Sequence, residues 1–266
     1  LTQAPELPAT TLATYCYSNM FQGCSSLTSA PTLPATTLAD NCYQDMFSSC
    51  TGLTSAPTLP ATTLADNCYY QMFYNCTGLT TAPELPATTL AYRCYYNMFY
   101  RCSSLTQAPE LPATTLTSSL ATYCYYGMFR DCTSLTSTPT LPATNLVNYC
   151  YSNMFSGCTS LTTAPELPAT TLADNCYYQM FYNCTGLTSA PELPATTLVN
   201  RCYYQMFRNC SSLNEITTYA NDISASSCIY NWLNGVSASG TFYNYGSATY
   251  TSGASGIPSG WTEVTQ

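Results

Sequence analysis

The chain has 266 residues, of which 7% are charged and 14% aromatic, and thirteen acids against five arginines leave a net charge of -8. With no clustered positive charge it lacks the surface that tracks phosphates, which excludes nucleic acid and anionic membrane as partners. Having no His and no Lys, it cannot build an imidazole triad or metal site, a Schiff base or a P-loop, so no catalytic residues are assigned.

The chain opens directly into a repeat, as a mature or trimmed segment would. Copies begin at Leu1, Leu27, Leu53, Leu79, Leu105, Leu135, Leu161 and Leu187, with a degenerate one at Leu213. The spacing is 26 residues with one exception of 30, and self-similarity at such a period reads as a solenoid. This predicts one repeat array over 1–212, followed by a degenerate repeat and C-terminal cap over 213–266. No apolar run approaches the roughly 18 to 20 residues needed to span a bilayer.

Within a rung, taking Leu53 to Gly78, the first half LTSAPTL is Thr-rich and closed by proline, as a brief strand ending in a turn would be. Leu53, Ala56 and Leu59 are expected to point inward, with Ser55, Pro57 and Thr58 toward solvent. The second half spaces Leu64, Cys68, Met72 and Cys76 four apart, with Phe73 widening the stripe, which predicts a short helix. Thr63 and Asp66 fit the Thr-x-x-Asp form of its capping box.

The 30-residue rung carries four extra residues near Thr117 to Leu120, close to one helical turn, so a local bulge is expected there. Cys228, Trp232, Leu233 and Val236 keep the rung spacing and predict a final helix. The tail from Ser237 places Phe242, Tyr243, Tyr245, Tyr250 and Trp261 at strand-like intervals, as a terminal cap would.

The seventeen cysteines fall in two columns, one from Cys16 to Cys228 and one from Cys24 to Cys210. Eight residues apart on a helix is about 12 Å, too far for a disulfide within a rung. Bridges between stacked rungs are geometrically open, but free thiols acting as small buried hydrophobes are the simpler reading. No C-x-x-C occurs, and neither a metal nor a cofactor is assigned.

Three exposed columns are candidate ligand contacts. The polar row that includes Ser55, Thr81 and Gln107 lies on the strand face that solenoids commonly use for binding. Glu84 and Glu110 stand on neighbouring rungs, where like charges about 5 Å apart invite either a cation or two splayed, solvated carboxylates. Two side chains supply too few oxygens for a dedicated cation site. Tyr17 and its copies are expected to be half-buried with the hydroxyl at the surface. The next position, including Tyr70, Tyr96 and Tyr126, is expected to be more exposed and able to stack on sugars or bind a protein.

The stretch MFSGCTSLTTAPELP, from Met154 to Pro168, resembles the A-F-x-x-C-x-x-L-x-x-I-x-I-P signature of BspA-like leucine-rich repeats. Met-Phe stands for Ala-Phe, Cys158 for the family Cys, and Leu161 and Pro168 for its Leu and Pro. The rung is about three residues longer than usual, and Ala164-Pro165 replaces the Ile-rich strand. The resemblance implies an α/β repeat: a curved leucine-rich-repeat solenoid of short strands and short helices, about 40 Å long. It also implies a non-enzymatic cell-surface or secreted binding protein that recognises a host glycoprotein, matrix or another cell. Its partner would be a protein or glycan on a host or bacterial surface. The competing reading is a structural spacer, stalk or phage virion component. The uniform rungs leave oligomeric state and ligand open, and they permit a multivalent, low-affinity surface.

Overall fold

The computed structural model describes residues 1–116 and 121–265. It is a stack of parallel rungs around one hydrophobic core that runs from Leu7 to Trp261. The expected bulge at Thr117 to Leu120 lies outside the described residues.

The second half of each rung is not a helix. No α-helix occurs among the described residues, and none is long and apolar enough to cross a membrane. The chain instead runs through overlapping four-residue turns. In the third rung the N–H groups of Cys68, Tyr70, Met72, Tyr74 and Cys76 donate to the carbonyls of Ala65, Asn67, Tyr69, Gln71 and Phe73, at 3.0–3.3 Å. The N–H groups in between point along the stack. Asn67, Tyr69, Gln71, Phe73 and Asn75 donate to Tyr92, Cys94, Tyr96, Met98 and Tyr100 of the next rung at 2.7–3.1 Å. Alternate donors thus close turns and join rungs, which leaves few backbone groups unpaired in the interior.

Every second turn has a positive φ at its third residue, the mark of a type II turn. In the third rung these residues are Asn67 (φ 53°), Gln71 (50°) and Asn75 (56°). Among the described residues, the 23 non-glycine residues with positive φ all fall in three such columns, and Asn and Asp supply most of them. Asn and Asp tolerate this region because their short polar side chains bond locally, whereas a β-branched residue clashes. Amide ladders then tie the columns together: Asn209 Nδ2 donates to Asn183 Oδ1 at 2.8 Å, and Gln179 Nε2 to Gln205 Oε1 at 2.6 Å. Asn67→Val is therefore expected to cost about 2 kcal/mol, and Asn67→Gly less than about 1 kcal/mol, in urea unfolding.

Thr63 and Asp66 form no capping box, since there is no helix to cap. The carboxylate of Asp66 instead accepts the N–H of Tyr92 at 2.9 Å, and that of Asp40 accepts the N–H of Asp66 at 3.2 Å, so these acids join rungs.

The first half of most rungs pairs only through isolated parallel bridges, such as Ser29 to Ser55 and Ser55 to Thr81, and the start of the second half adds others, such as Thr63 to Thr89. Prolines flank each bridge and remove ladder donors, so extended pairing fails. Leu53 and Leu59 are buried and Ala56 half-buried, as expected, but Pro57 is buried rather than facing solvent. A true sheet forms at the C-terminal end, where β1 is held to two residues between Pro191 and Pro194 and the later strands, free of proline, are longer. Strands β1 (Glu192–Leu193), β2 (Glu215–Thr218), β3 (Gly240–Asn244) and β4 (Trp261–Thr265) pair in parallel in that order.

Two aromatic ladders fill the core. Tyr43, Tyr69, Tyr95, Tyr125, Tyr151, Tyr177 and Tyr203 stack nearly parallel at 5.7–5.9 Å, and Phe21 to Phe207 do so at 5.5–5.7 Å. The expectation of half-buried tyrosines fails: these seven are 1–2% exposed, because rungs of equal shape stack their rings face to face. Only Tyr17, in the first rung, is half-buried.

The second cysteine column adds a donor to the packing. The thiol of Cys76 donates to the carbonyl of Phe47 at 3.0 Å, and the same bond recurs from Cys50 to Cys210. All seventeen cysteines are free, and fifteen are buried.

The tail closes onto the ninth rung, which is again turns (Ser227, Asn231 and Gly235 with positive φ) and not the expected final helix. Trp232 stacks between Tyr203 and Tyr250 at 6.3 and 6.0 Å, and its indole N–H donates to the Gly256 carbonyl at 3.0 Å. Ser255 Oγ and the Ala254 carbonyl accept the outward N–H groups of Asn231 and Leu233 at 2.9 and 3.3 Å.

Candidate functional site

The repeated Ala-Pro-Glu/Thr-Leu-Pro segment builds a groove along one wall. Its leucines, such as Leu85 and Leu111, turn into the core, which leaves the preceding Glu84 and Glu110 exposed between prolines. Prolines fix φ and so hold the carboxylates without ladder pairing. A cavity of about 500 Å³ lies between these two rungs, lined by Thr81, Pro83, Glu84, Pro86, Gln107, Pro109 and Glu110. A second, of about 600 Å³, lies between Glu166 and Glu192 with Pro168, Pro191 and Pro194. Smaller hollows of about 460 and 340 Å³ join Thr58 to Glu84 and Thr140 to Glu166.

Two of the carboxylates are held from neighbouring rungs. Glu110 Oε2 accepts the hydroxyl of Thr140 at 2.8 Å and its N–H at 3.2 Å. Glu192 Oε2 accepts the Tyr219 hydroxyl at 3.4 Å. Among the described residues, no three acids, cysteines or histidines converge as a metal site would require.

Four sequence candidates, Thr81, Gln107, Glu84 and Glu110, therefore share one cavity, and Ser55 continues their row through its bridge to Thr81. Tyr70, Tyr96 and Tyr126 do not line it. They stand on the turn wall, half-buried, and stack on one another at 5.0 and 4.6 Å within 6° of parallel. Tyr96 is thus covered on both faces and offers a ligand its ring edge and hydroxyl, while Tyr70 and Tyr126 are each covered by this stack on one face. Burial raises the pKa of all three, which keeps the phenols protonated.

The turn wall also carries a feature the sequence reading missed: all five arginines lie over tyrosines. Arg93 sits 4.8, 5.4 and 5.2 Å from the ring centres of Tyr92, Tyr96 and Tyr123. Arg101 and Arg130 share Tyr100, Arg201 covers Tyr204, and Arg208 covers Tyr182. Cation–π contact of this kind is worth about 0.5–1 kcal/mol at exposed sites. The partners Tyr96, Tyr123, Tyr100 and Tyr182 come from rungs other than, or turns other than, the arginine's nearest neighbours, so adjacency in sequence signals only Tyr92–Arg93 and Tyr100–Arg101.

Burial holds the interior thiols in their neutral form. Cys42 and Cys50 are pushed up to about 11, and Cys94, Cys150 and Cys184 to about 12. A protonated thiol is a poor nucleophile, so the buried thiols serve the packing of the core.

Stacked parallel rungs with inward leucines and one shared core define a leucine-rich-repeat solenoid. Residues 14–153, 69–188 and 125–252 match the family model described as BspA type leucine rich repeat region (6 copies), and the chain belongs to that family. No curated protein and no solved structure matches it.

Proposed function

We propose that the chain is a non-enzymatic binding protein of a cell surface or secretion, and that the proline-lined acidic groove is where it meets a protein or glycan of a host or another cell. The observation that carries this is the shared cavity of Thr81, Glu84, Gln107 and Glu110, where hydroxyl, amide and carboxylate groups converge between rigid prolines. Family membership supports a surface role in protein binding. The absence of His and Lys and the neutral interior thiols support a role without catalysis. The tail after Ser237 acts as the closing cap of the array, since it supplies acceptors to the last rung.

A pure spacer would have no reason to double its carboxylates at two levels, Glu84 with Glu110 and Glu166 with Glu192, while leaving threonine at Thr32, Thr58 and Thr140. Glycan and protein arrays probed with the purified chain should return a ligand, and Glu84→Gln/Glu110→Gln should weaken its binding by roughly tenfold. Arrays without a ligand, together with unchanged cell attachment, would favour the spacer.

A further inference from the structure

The arginines of the turn wall are underused within one chain. Among the described residues the one ion pair is Arg101 with Asp131, at 3.9 Å. Arg93, Arg130 and Arg208 are only half-buried, and none of them pairs with a carboxylate among the described residues. A guanidinium held against tyrosines without a carboxylate is positioned for one supplied from outside.

The carboxylates of the groove are the matching set: every rung that carries arginine also carries a groove glutamate, although the rungs of Glu6 and Glu166 carry no arginine. The rung from Leu79 carries Glu84 with Arg93 and Arg101, the rung from Leu105 carries Glu110 with Arg130, and the rung from Leu187 carries Glu192 with Arg201 and Arg208. Rungs with threonine at the groove position, from Leu27, Leu53 and Leu135, have no arginine. The groove wall and the turn wall enclose one core between them, so the two sets face outward in different directions. A second copy displaced sideways without rotation therefore brings each arginine level beside a glutamate level of its neighbour. Both walls share the repeat of one solenoid, so when one arginine level meets a glutamate level, the other two do as well.

We propose that the chain associates side by side with further copies, parallel and in register, the tyrosine–arginine wall of one seated on the proline–glutamate groove of the next. Prolines against tyrosine edges supply the apolar part of the contact, as in the docking of proline-rich segments on aromatic surfaces. Arginine–glutamate pairs fix the register, and each new copy leaves one groove and one tyrosine wall free, so the assembly is open-ended. This goes beyond the binding role and does not depend on it.

Sedimentation velocity of the purified chain at low ionic strength tests it. The expected result is association that grows with concentration and weakens roughly threefold for each neutralised pair, first in Glu84→Gln/Glu110→Gln. Glu192→Gln should weaken it as well, while Glu6→Gln should not, because the rung from Leu1 has no arginine. Charge reversal adds a test independent of misfolding. Glu84→Arg/Glu110→Arg and Arg93→Glu/Arg130→Glu should each associate less than the native chain, and mixing the two should restore association. A chain that sediments as a monomer at every concentration overturns the proposal. So does association indifferent to these substitutions, which would place the contact at the first rung, where Tyr15 and Met20 are exposed, and so does a mixture that stays dissociated. A stronger effect of Glu6→Gln than of Glu192→Gln overturns the parallel arrangement.

Discussion

Raising the pH from 8 to 10 is expected to unfold the protein cooperatively, with a midpoint between about pH 9 and 10. Fifteen cysteines from Cys42 to Cys228 are buried, and desolvation raises each thiol above its ordinary value of 9.0. Above pH 9 the unfolded chain has lost thiol protons that the folded chain still holds. The folded state binds more protons, so stability is intact below pH 9 and falls as pH rises toward the raised folded values, which are about 11 for Cys42 and Cys50. Each such group removes about 1.4 kcal/mol per pH unit in that window. The whole stability of a domain is about 5–15 kcal/mol, so fifteen groups acting together exhaust it within about one pH unit. The buried tyrosines, also raised by desolvation, act in the same direction at higher pH. Far-UV circular dichroism against pH, under reductant, reads the transition, and a midpoint above about pH 11 would refute the argument. At pH 8, by contrast, a thiol reagent should label Cys16 and Cys24 first, since these alone among the cysteines are not buried.

The core was legible because burial repeats with the rung whatever the backbone does. Leu53, Cys68, Met72, Phe73 and Cys76 are all fully buried, although the helix invoked to explain their spacing does not exist. The error lies in the step. A helical stripe advances by a mixture of three and four, because a step of four overshoots a turn of 3.6 residues by about 40°. Leu64, Cys68, Met72 and Cys76 step by four each time, so on a helix the stripe would have wound about 120° away from its start. Their constant step matches a backbone whose conformation itself repeats every four residues. The second cue stands beside the first: Asn67, Gln71 and Asn75 recur at the same step, where a left-handed residue is needed. The groove was legible from Glu84, Glu110, Thr81 and Gln107, whose outward positions follow from the alternating first half of the rung. The arginine–tyrosine wall was not, because Arg130 reaches Tyr100 across rungs and its contact depends on the stacking.

A backbone with a four-residue repeat makes a sharp distinction between insertions, and this is the second large effect expected. The 30-residue rung already shows what four extra residues do. Beyond them the ladder resumes, with Tyr95, Asn97 and Phe99 donating to Cys124, Tyr126 and Met128 at 2.8–3.0 Å. One extra residue cannot be absorbed in this way. Placed after Met98, it exchanges the donors that close turns for those that join rungs over the rest of the segment. The ladder bonds from Phe99 and Arg101 to Met128 and Arg130 are lost, at about 1 kcal/mol each. The shift also turns Phe99 and Cys102, both fully buried, out of their ladders, and losing one large core side chain costs about 3–5 kcal/mol. Together these approach the whole stability of a domain, so an alanine inserted after Met98 should yield a chain with no cooperative thermal transition. Four residues inserted between Leu90 and Ala91, at the place corresponding to the natural insertion, should leave a cooperative transition within a few degrees of the native chain. Differential scanning calorimetry of the two variants separates the cases, because an α-helical second half would also accept four residues but would take up one residue by rotation and fraying, with a smaller loss.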